Sequence, residues 1–148
     1  MKKRKLTILV ADSLINKSIC GLVFKKRGEF VLNSGEMQAT ICKSGNTDSH
    51  IIYAHVVDGE VVYIGESSTT FRNRMRLYLT HEGSTNVRVR EHLMKELVAG
   101  KKVEIYYYKP ATVVIDSTLT VNPYVSIEQA IIGKLRPILN KKDTAQCI

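Results

Sequence analysis

The sequence predicts an α/β sandwich: a short, mainly antiparallel sheet of about three strands flanked by helices, with an N-terminal extension. Three observations predict it. A run of strand composition, Ile51-Ile52-Tyr53-Ala54-His55-Val56-Val57, meets the turn signal Asp58-Gly59 and returns as Val61-Val62-Tyr63-Ile64. From Phe71 to Leu79 the apolar residues Phe71, Met75 and Tyr78 or Leu79 recur at helical spacing. Near the end, Ile127, Ala130, Ile131 and Leu135 form an apolar stripe that Pro137 stops. Strands and amphipathic helices in one short chain bury their apolar faces against each other in layers.

Residues 1–49 read as the extension. Leu6 to Phe24 is apolar-rich and fits a helix, or a strand followed by a helix capped at Asp12-Ser13 ahead of Leu14, Ile15 and Ile19. Lys25-Lys26-Arg27-Gly28 breaks that pattern, and Ser44 to Ser49 has linker composition. The second unit, 50–148, opens with the hairpin. Gly65 ends its returning strand, and Ser67-Ser68-Thr69-Thr70 offers helix caps. In the helix that follows, Arg74 and Tyr78 lie four residues apart and share a face, as do Arg72 and Arg76 on a neighbouring one. A second helix is expected from about Val87 to Ala99, closed by Gly100. Lys102 to Tyr108 is a third strand, rich in Tyr and β-branched residues, and a loop runs on to Pro123. Ser126 with Gln129 fits a capping box for the final helix, which puts Glu128 in its first turn.

Composition narrows the function classes. The chain has 148 residues, 44% hydrophobic and 24% charged, ordinary for a soluble globular domain. No apolar run reaches the roughly 18 residues that span a bilayer. The basic start Met1–Lys5 and the apolar Leu6–Ala11 imitate a signal peptide, but Asp12 interrupts before any cleavage site. The three cysteines, Cys20, Cys42 and Cys147, are far apart and form no metal-binding spacing, so a reduced, cytoplasmic setting is the expectation. The net charge of +8 favours an anionic partner, of which nucleic acid is the commonest.

Several residues have both a bland and a chemical reading. Tyr53 and Tyr63 fit cross-strand packing as well as a site. Arg74 fits a stem lying over the core, or a fork that clamps phosphate oxygens. Glu128 near a helix N-terminus fits simple dipole stabilisation, or a ligand for a hard cation. Arg72, Arg76, Arg88, Arg90, Lys95, Lys101 and Lys102 are candidates for DNA-backbone contacts, and Arg88 and Arg90 also for reading guanine in a major groove.

Taken in order, Ile52-Tyr53, a ten-residue step to Tyr63-Ile64-Gly65, then Arg74, Tyr78, Glu128 in "SIEQAIIGKLRPILN", and Asn140 resemble the GIY-YIG nuclease family. Ile51 stands where the family name has Gly, "YIG" is intact, and the match spans about residues 51–140. A Tyr at position 78, where other members have His, makes the chain similar to small stand-alone members. These include type II restriction enzymes and a phage endonuclease that degrades host DNA. Glu66 departs from the pattern, because a neutral or basic residue more usually follows the YIG.

The resemblance implies a metal-dependent endonuclease acting on double-stranded DNA, in a bacterial or phage-infected cell. It implies that Glu128 holds one Mg²⁺ (or Mn²⁺) and that Arg74 stabilises charge on the phosphate. Tyr53 would be the general base, its phenol pKa lowered by the ion or by Arg74. Tyr63 and Tyr78 would hydrogen-bond phosphate or water, with Gly65 and Asn140 in support. His55, two residues from Tyr53 on the same strand face, is either a supporting group or a rival base. Cutting both strands at a specific site implies a homodimer, with residues 1–49 and 109–123 available for contacts or base readout. A nuclease of looser specificity and a catalytically inactive DNA-binding module are the competing readings.

Overall fold

A computed structural model describes residues 6–140 of the chain. The basic start Met1–Lys5 and Cys147 lie outside these residues. The elements in order are β1 (Thr7–Val10), β2 (Asn16–Ile19), β3 (Leu22–Asn33), β4 (Glu36–Cys42), β5 (Ile51–Val57), β6 (Glu60–Ser67), α1 (Phe71–Thr80), α2 (Ser84–Val98), β7 (Val103–Tyr108), β8 (Val113–Ile115), β9 (Leu119–Val121) and α3 (Tyr124–Leu135).

The α/β class stands, but the sheet is larger than expected. It has seven strands rather than about three, in the order β1-β4-β3-β7-β5-β6, with β2 paired to β3. The four added strands come from residues 7–42, of which Leu6 to Phe24 reads from sequence as a helix, or as a strand followed by a helix. The reason is turn chemistry. Cys20-Gly21 and Ser34-Gly35 both take positive φ at each residue, as Asp58-Gly59 does. Two such residues in succession make the tight turn whose twist matches paired strands. They fold β2, β3 and β4 into a meander, and Leu14 to Ile19 becomes coil and strand instead of helix.

All pairings in this sheet are antiparallel except β1 with β4. β7 lies between the two hairpins, pairing Phe30 with Val103 on one side and Tyr53 with Tyr107 on the other. One face carries Phe30, Ala39, Ile41, Tyr53 and Ile105, packed against Phe71, Met75 and Tyr78 of α1 and Val89 and Leu93 of α2. The opposite face carries Phe24, Ile52, Ala54 and Ile64 under Ile131 and Ile132 of α3. Each buried Phe, Ile, Leu, Val or Met among them contributes about 2 kcal/mol by removing apolar area from water.

The helix ends follow local chemistry. Thr70 caps α1 by accepting from the Asn73 amide at 3.2 Å. Gly100, at φ +84°, follows α2 in the left-handed conformation expected of it. α3 differs from expectation. It begins at Tyr124 after Pro123, whose N-cap position displaces the Ser126–Gln129 box and moves Glu128 into the second turn. Asn122 makes this start, its side-chain oxygen accepting from the Tyr124 amide at 3.2 Å. The segment expected as a loop before it contains the small hairpin β8–β9. No helix among the described residues is long and apolar enough to cross a membrane.

Candidate active site

The β5–β6 register decides which side chains meet. Tyr53 is opposite Gly65, and His55 is opposite Tyr63. Side chains alternate along a strand, so these four share the face toward α1, while Ile64 and Glu66 turn the other way. Glu66 therefore lies on the far side of β6 from Tyr63. Gly65 is required by close approach. A Cβ there would sit 2.4 Å from the Tyr53 hydroxyl oxygen and 2.5 Å from Cζ of its ring.

Tyr53, Tyr63 and Tyr78 form a cluster with ring centroids 6.1 to 6.4 Å apart. The hydroxyls of Tyr53 and Tyr78 are 2.6 Å apart and share a hydrogen bond. Arg74, one turn before Tyr78, lays its guanidinium 4.4 Å from the Tyr78 ring centroid and 5.7 Å from that of Tyr53. Its Nη2 donates to the Tyr78 hydroxyl at 3.2 Å, and its Nη1 donates to Oδ1 of Asn86 at 2.9 Å. Tyr53 and Tyr78 are fully buried, whereas Tyr63 and Arg74 reach the rim. Asn86 was not among the expected residues. With α2 starting at Ser84 instead of Val87, it falls in the first turn and faces Arg74.

Burial sets the acidities. It pushes the Tyr53 phenol up from its ordinary value, and the nearby Arg74 charge pulls only partly against it. The free protein thus departs from the lowered Tyr53 that a ready base needs. Tyr78 is raised well above its usual value by burial and by the neighbouring phenols. Tyr63 is raised by burial, then pulled down by a hydrogen bond from Tyr78 and by Arg74, and pushed up again by Glu128. Burial works against the charge of Arg74, but the phenols around it outweigh this and hold its pKa above the ordinary one.

His55 is fully buried and surrounded by rings: Tyr78 at 4.8 Å, Tyr53 at 5.3 Å, Phe30 at 5.4 Å and Tyr63 at 5.7 Å. Neither ring nitrogen has a hydrogen-bond partner among the described residues. Burial, helped by the Arg74 charge, lowers its pKa to about 3. A neutral imidazole with no polar partner is a packing group here and a poor rival for the base.

Glu128 comes from the other layer. α3 packs on β5 and β6 at the sheet edge, and its carboxylate bears on the charge of the Tyr63 phenol. It is buried, with Oε1 accepting from Gln129 Nε2 at 2.8 Å. Among the described residues no three His, Cys, Asp or Glu side chains cluster. A cation held here would take one carboxylate and complete its shell with water and phosphate oxygens, which suits Mg²⁺. Asn140 serves the backbone: its side chain accepts from the Ile64 amide and donates to the Ile64 carbonyl.

The basic residues divide. Arg88 donates to the Leu139 carbonyl at 2.5 Å, and Arg90 to the carbonyls of Tyr78 and His81 and to the Glu82 carboxylate. Lys101 pairs with Glu96, and Lys102 with Glu29 and Glu104. Arg72, Arg76 and Lys95 stand exposed on α1 and α2. Base reading by Arg90 conflicts with its place, because its guanidinium ties the end of α1 to α2.

No protein-family model and no curated protein matches the chain. Among solved structures, the chain is similar to restriction endonuclease HPY188I in complex with product DNA, at 17% identity over 75% of this chain and 72% of that one, TM-score 0.43. It is also similar to a glutamate-to-alanine variant of bacteriophage T4 EndoII, at 24% identity over 79% of this chain and 90% of that one, TM-score 0.62. This second likeness is one of fold, and it runs through most of both chains.

Proposed function

We propose that this chain is a divalent-metal-dependent DNA endonuclease of the GIY-YIG kind. In the narrower form of the proposal it is a type II restriction enzyme that cuts double-stranded DNA as a homodimer. One observation carries the reading: an arginine at the rim of a buried tyrosine cluster, laid over the Tyr78 ring and hydrogen-bonded to Tyr78 and Asn86. Packing alone does not call for a guanidinium held on two sides. The name of the T4 EndoII relative accords with the reading.

Phosphodiester hydrolysis needs an activated water, charge neutralisation and support for the leaving oxygen. Glu128 would hold one Mg²⁺ or Mn²⁺, which when bound supplies Lewis-acid polarisation of the phosphate. Arg74 stabilises the charge that builds on the phosphate in the transition state, from a position already fixed before substrate arrives. Tyr53 takes the proton of the attacking water. Its phenol is held protonated by burial in the free protein, so it acts only where positive charge around the bound phosphate lowers it. Tyr63, at the rim, orients the water or the phosphate, and Tyr78 couples Tyr53 to Arg74. Arg72, Arg76 and Lys95 remain for backbone contacts. The homodimer would form through the β8–β9 hairpin, which exposes Val113, Val114, Ile115 and Leu119. A two-stranded hairpin is marginal alone, and an exposed apolar patch marks a contact surface.

Plasmid cleavage with Mg²⁺ tests this. Glu128→Ala is expected to abolish cutting and spare DNA binding; a wild-type rate would end the metal role of Glu128. Discrete bands from the native protein support the restriction enzyme and a smear supports looser specificity. Binding without any cutting favours the inactive module.

A further inference from the structure

Arg74 is held on one side by Tyr78, a residue already assigned to the site. The other side is held by Asn86, and the hydrogen bonds beyond it leave little freedom. Arginine only donates, so the Asn86 atom 2.9 Å from Nη1 is the carbonyl oxygen Oδ1. The amide nitrogen Nδ2 then has protons to place. It lies 3.0 Å from Nδ1 of His81, which also lies 3.0 Å from the backbone N–H of Gly83. Both groups are donors, so this imidazole nitrogen must offer its lone pair to both. The proton of neutral His81 therefore sits on Nε2.

Two neighbours support this arrangement. Arg90 donates from α2 to the carbonyls of Tyr78 and His81, which fixes the chain between the two helices. Gly83 leaves room for the ring: a Cβ there would be 2.9 Å from His81 Nδ1. Any side chain at position 83 would push the imidazole from the place where it orients Asn86.

We propose that Asn86 is a positioning residue for Arg74, and that His81, in its Nε2-protonated form, keeps the Asn86 oxygen turned toward the guanidinium. The proposal rests on the reading of Arg74 as the group that stabilises phosphate charge. In the free protein Asn86 and Tyr78 hold the guanidinium over the phenols, so it meets the phosphate already oriented. Without Asn86, one nitrogen of the guanidinium loses its partner and the group swings about the Tyr78 contact. A displacement of about 1 Å at such a group costs on the order of 100-fold in rate.

Two readouts test it. On an oligonucleotide substrate with Mg²⁺, Asn86→Ala is expected to lower kcat by roughly 100-fold while KM changes little. Ser84→Ala, exposed in the same turn, is expected to match the native enzyme in both. In nitrogen NMR of the native protein, assigned with Arg74→Lys, the Arg74 guanidinium is expected to give separate Nη signals, and His81 Nδ1 the shift of an unprotonated nitrogen. Asn86→Ala should merge the Arg74 signals, whereas Asn86→Asp, which keeps an acceptor oxygen, should leave them separate. Unchanged kcat in Asn86→Ala, unchanged Arg74 signals, or a protonated His81 Nδ1 would overturn the proposal. A native protein that cuts no DNA would overturn the nuclease reading instead, and the NMR comparison would still decide whether Asn86 orders Arg74.

Discussion

The side-chain amide of Asn140 grips the backbone of Ile64 at both ends, accepting from its N–H at 2.9 Å and donating to its C=O at 2.8 Å. β6 is the edge of the sheet, so these two groups would otherwise lack a ladder partner. Leu139 extends the pairing through its amide to the Val62 carbonyl. Tyr63 lies between the two gripped residues, so the segment after α3 holds the strand that presents it. Asn140→Asp removes the donor and sets a carboxylate against a carbonyl. It is expected to cost about 2 kcal/mol in urea unfolding, and to lower cleavage more than DNA binding. Unchanged unfolding would show that water replaces the amide without loss.

Gly65→Ala is expected to be far more harmful than its one methyl suggests. The new Cβ would overlap the Tyr53 ring, and the obstacle is an aromatic in a filled core rather than a mobile side chain. Tyr53 must shift, which breaks its contact with Tyr78. Loss of cleavage with a stability cost of about 1–3 kcal/mol is expected, as for other overpacked cores. A fully active Gly65→Ala would show that Tyr53 does not need its observed place.

His55 makes stability depend on pH. Its folded pKa of about 3 lies below the ordinary value of 6.5. The folded state therefore holds the neutral ring, while the unfolded chain binds a proton. The contribution is complete above the unfolded value near 6.5, is lost progressively as the pH falls, and is exhausted below about 3. From about pH 7 to about pH 5 the native protein should lose about 2 kcal/mol through this one group. His55→Phe should flatten that slope in denaturant titrations at the two pH values. An equal slope in the variant would place the pH dependence elsewhere.

The β8–β9 hairpin gives a prediction about assembly. Val114, 60% exposed, lies on a hairpin whose side chains are nearly all uncharged. Val114→Asp is expected to leave the fold intact and shift the protein to monomer in sedimentation equilibrium. On the proposed reading one chain carries one site, so double-strand breaks should give way to nicks. A native protein that sediments as a monomer would remove the hairpin from this role.

The clustering of the tyrosines and Arg74 was more legible than the sheet. Tyr53, Tyr63, Arg74 and Tyr78 are found together because two strong local signals, the Asp58-Gly59 turn and the helical spacing after Phe71, fix their faces. The first third was misread because Cys20-Gly21 and Ser34-Gly35 carry the same turn geometry in less familiar dipeptides. Lys25 to Gly28, read as a break, is the middle of a twelve-residue strand. Its Lys26 is kept in the sheet by Glu104 at 2.9 Å and Glu29 at 3.2 Å, partners from another strand and from farther along its own. Asn86 had no signal at all, because its importance comes from a contact across two helices. The fates of Arg88 and Arg90 were likewise hidden: charge is visible in a sequence, whereas the carbonyl that receives it is not.

The place of β7 between β3 and β5 sets an order of events for a growing chain. The meander of β2, β3 and β4 and the hairpin of β5 and β6 each close over short loops, and short loops close fast. β7 leaves the ribosome later than both, yet only it joins them. Until Tyr108 has emerged, β3 and β5 each expose an unsatisfied edge, the kind of surface that recruits other strands. Both edges stay open from the closing of the β5–β6 hairpin until β7 arrives, and a pause in synthesis ahead of residue 103 would prolong that interval.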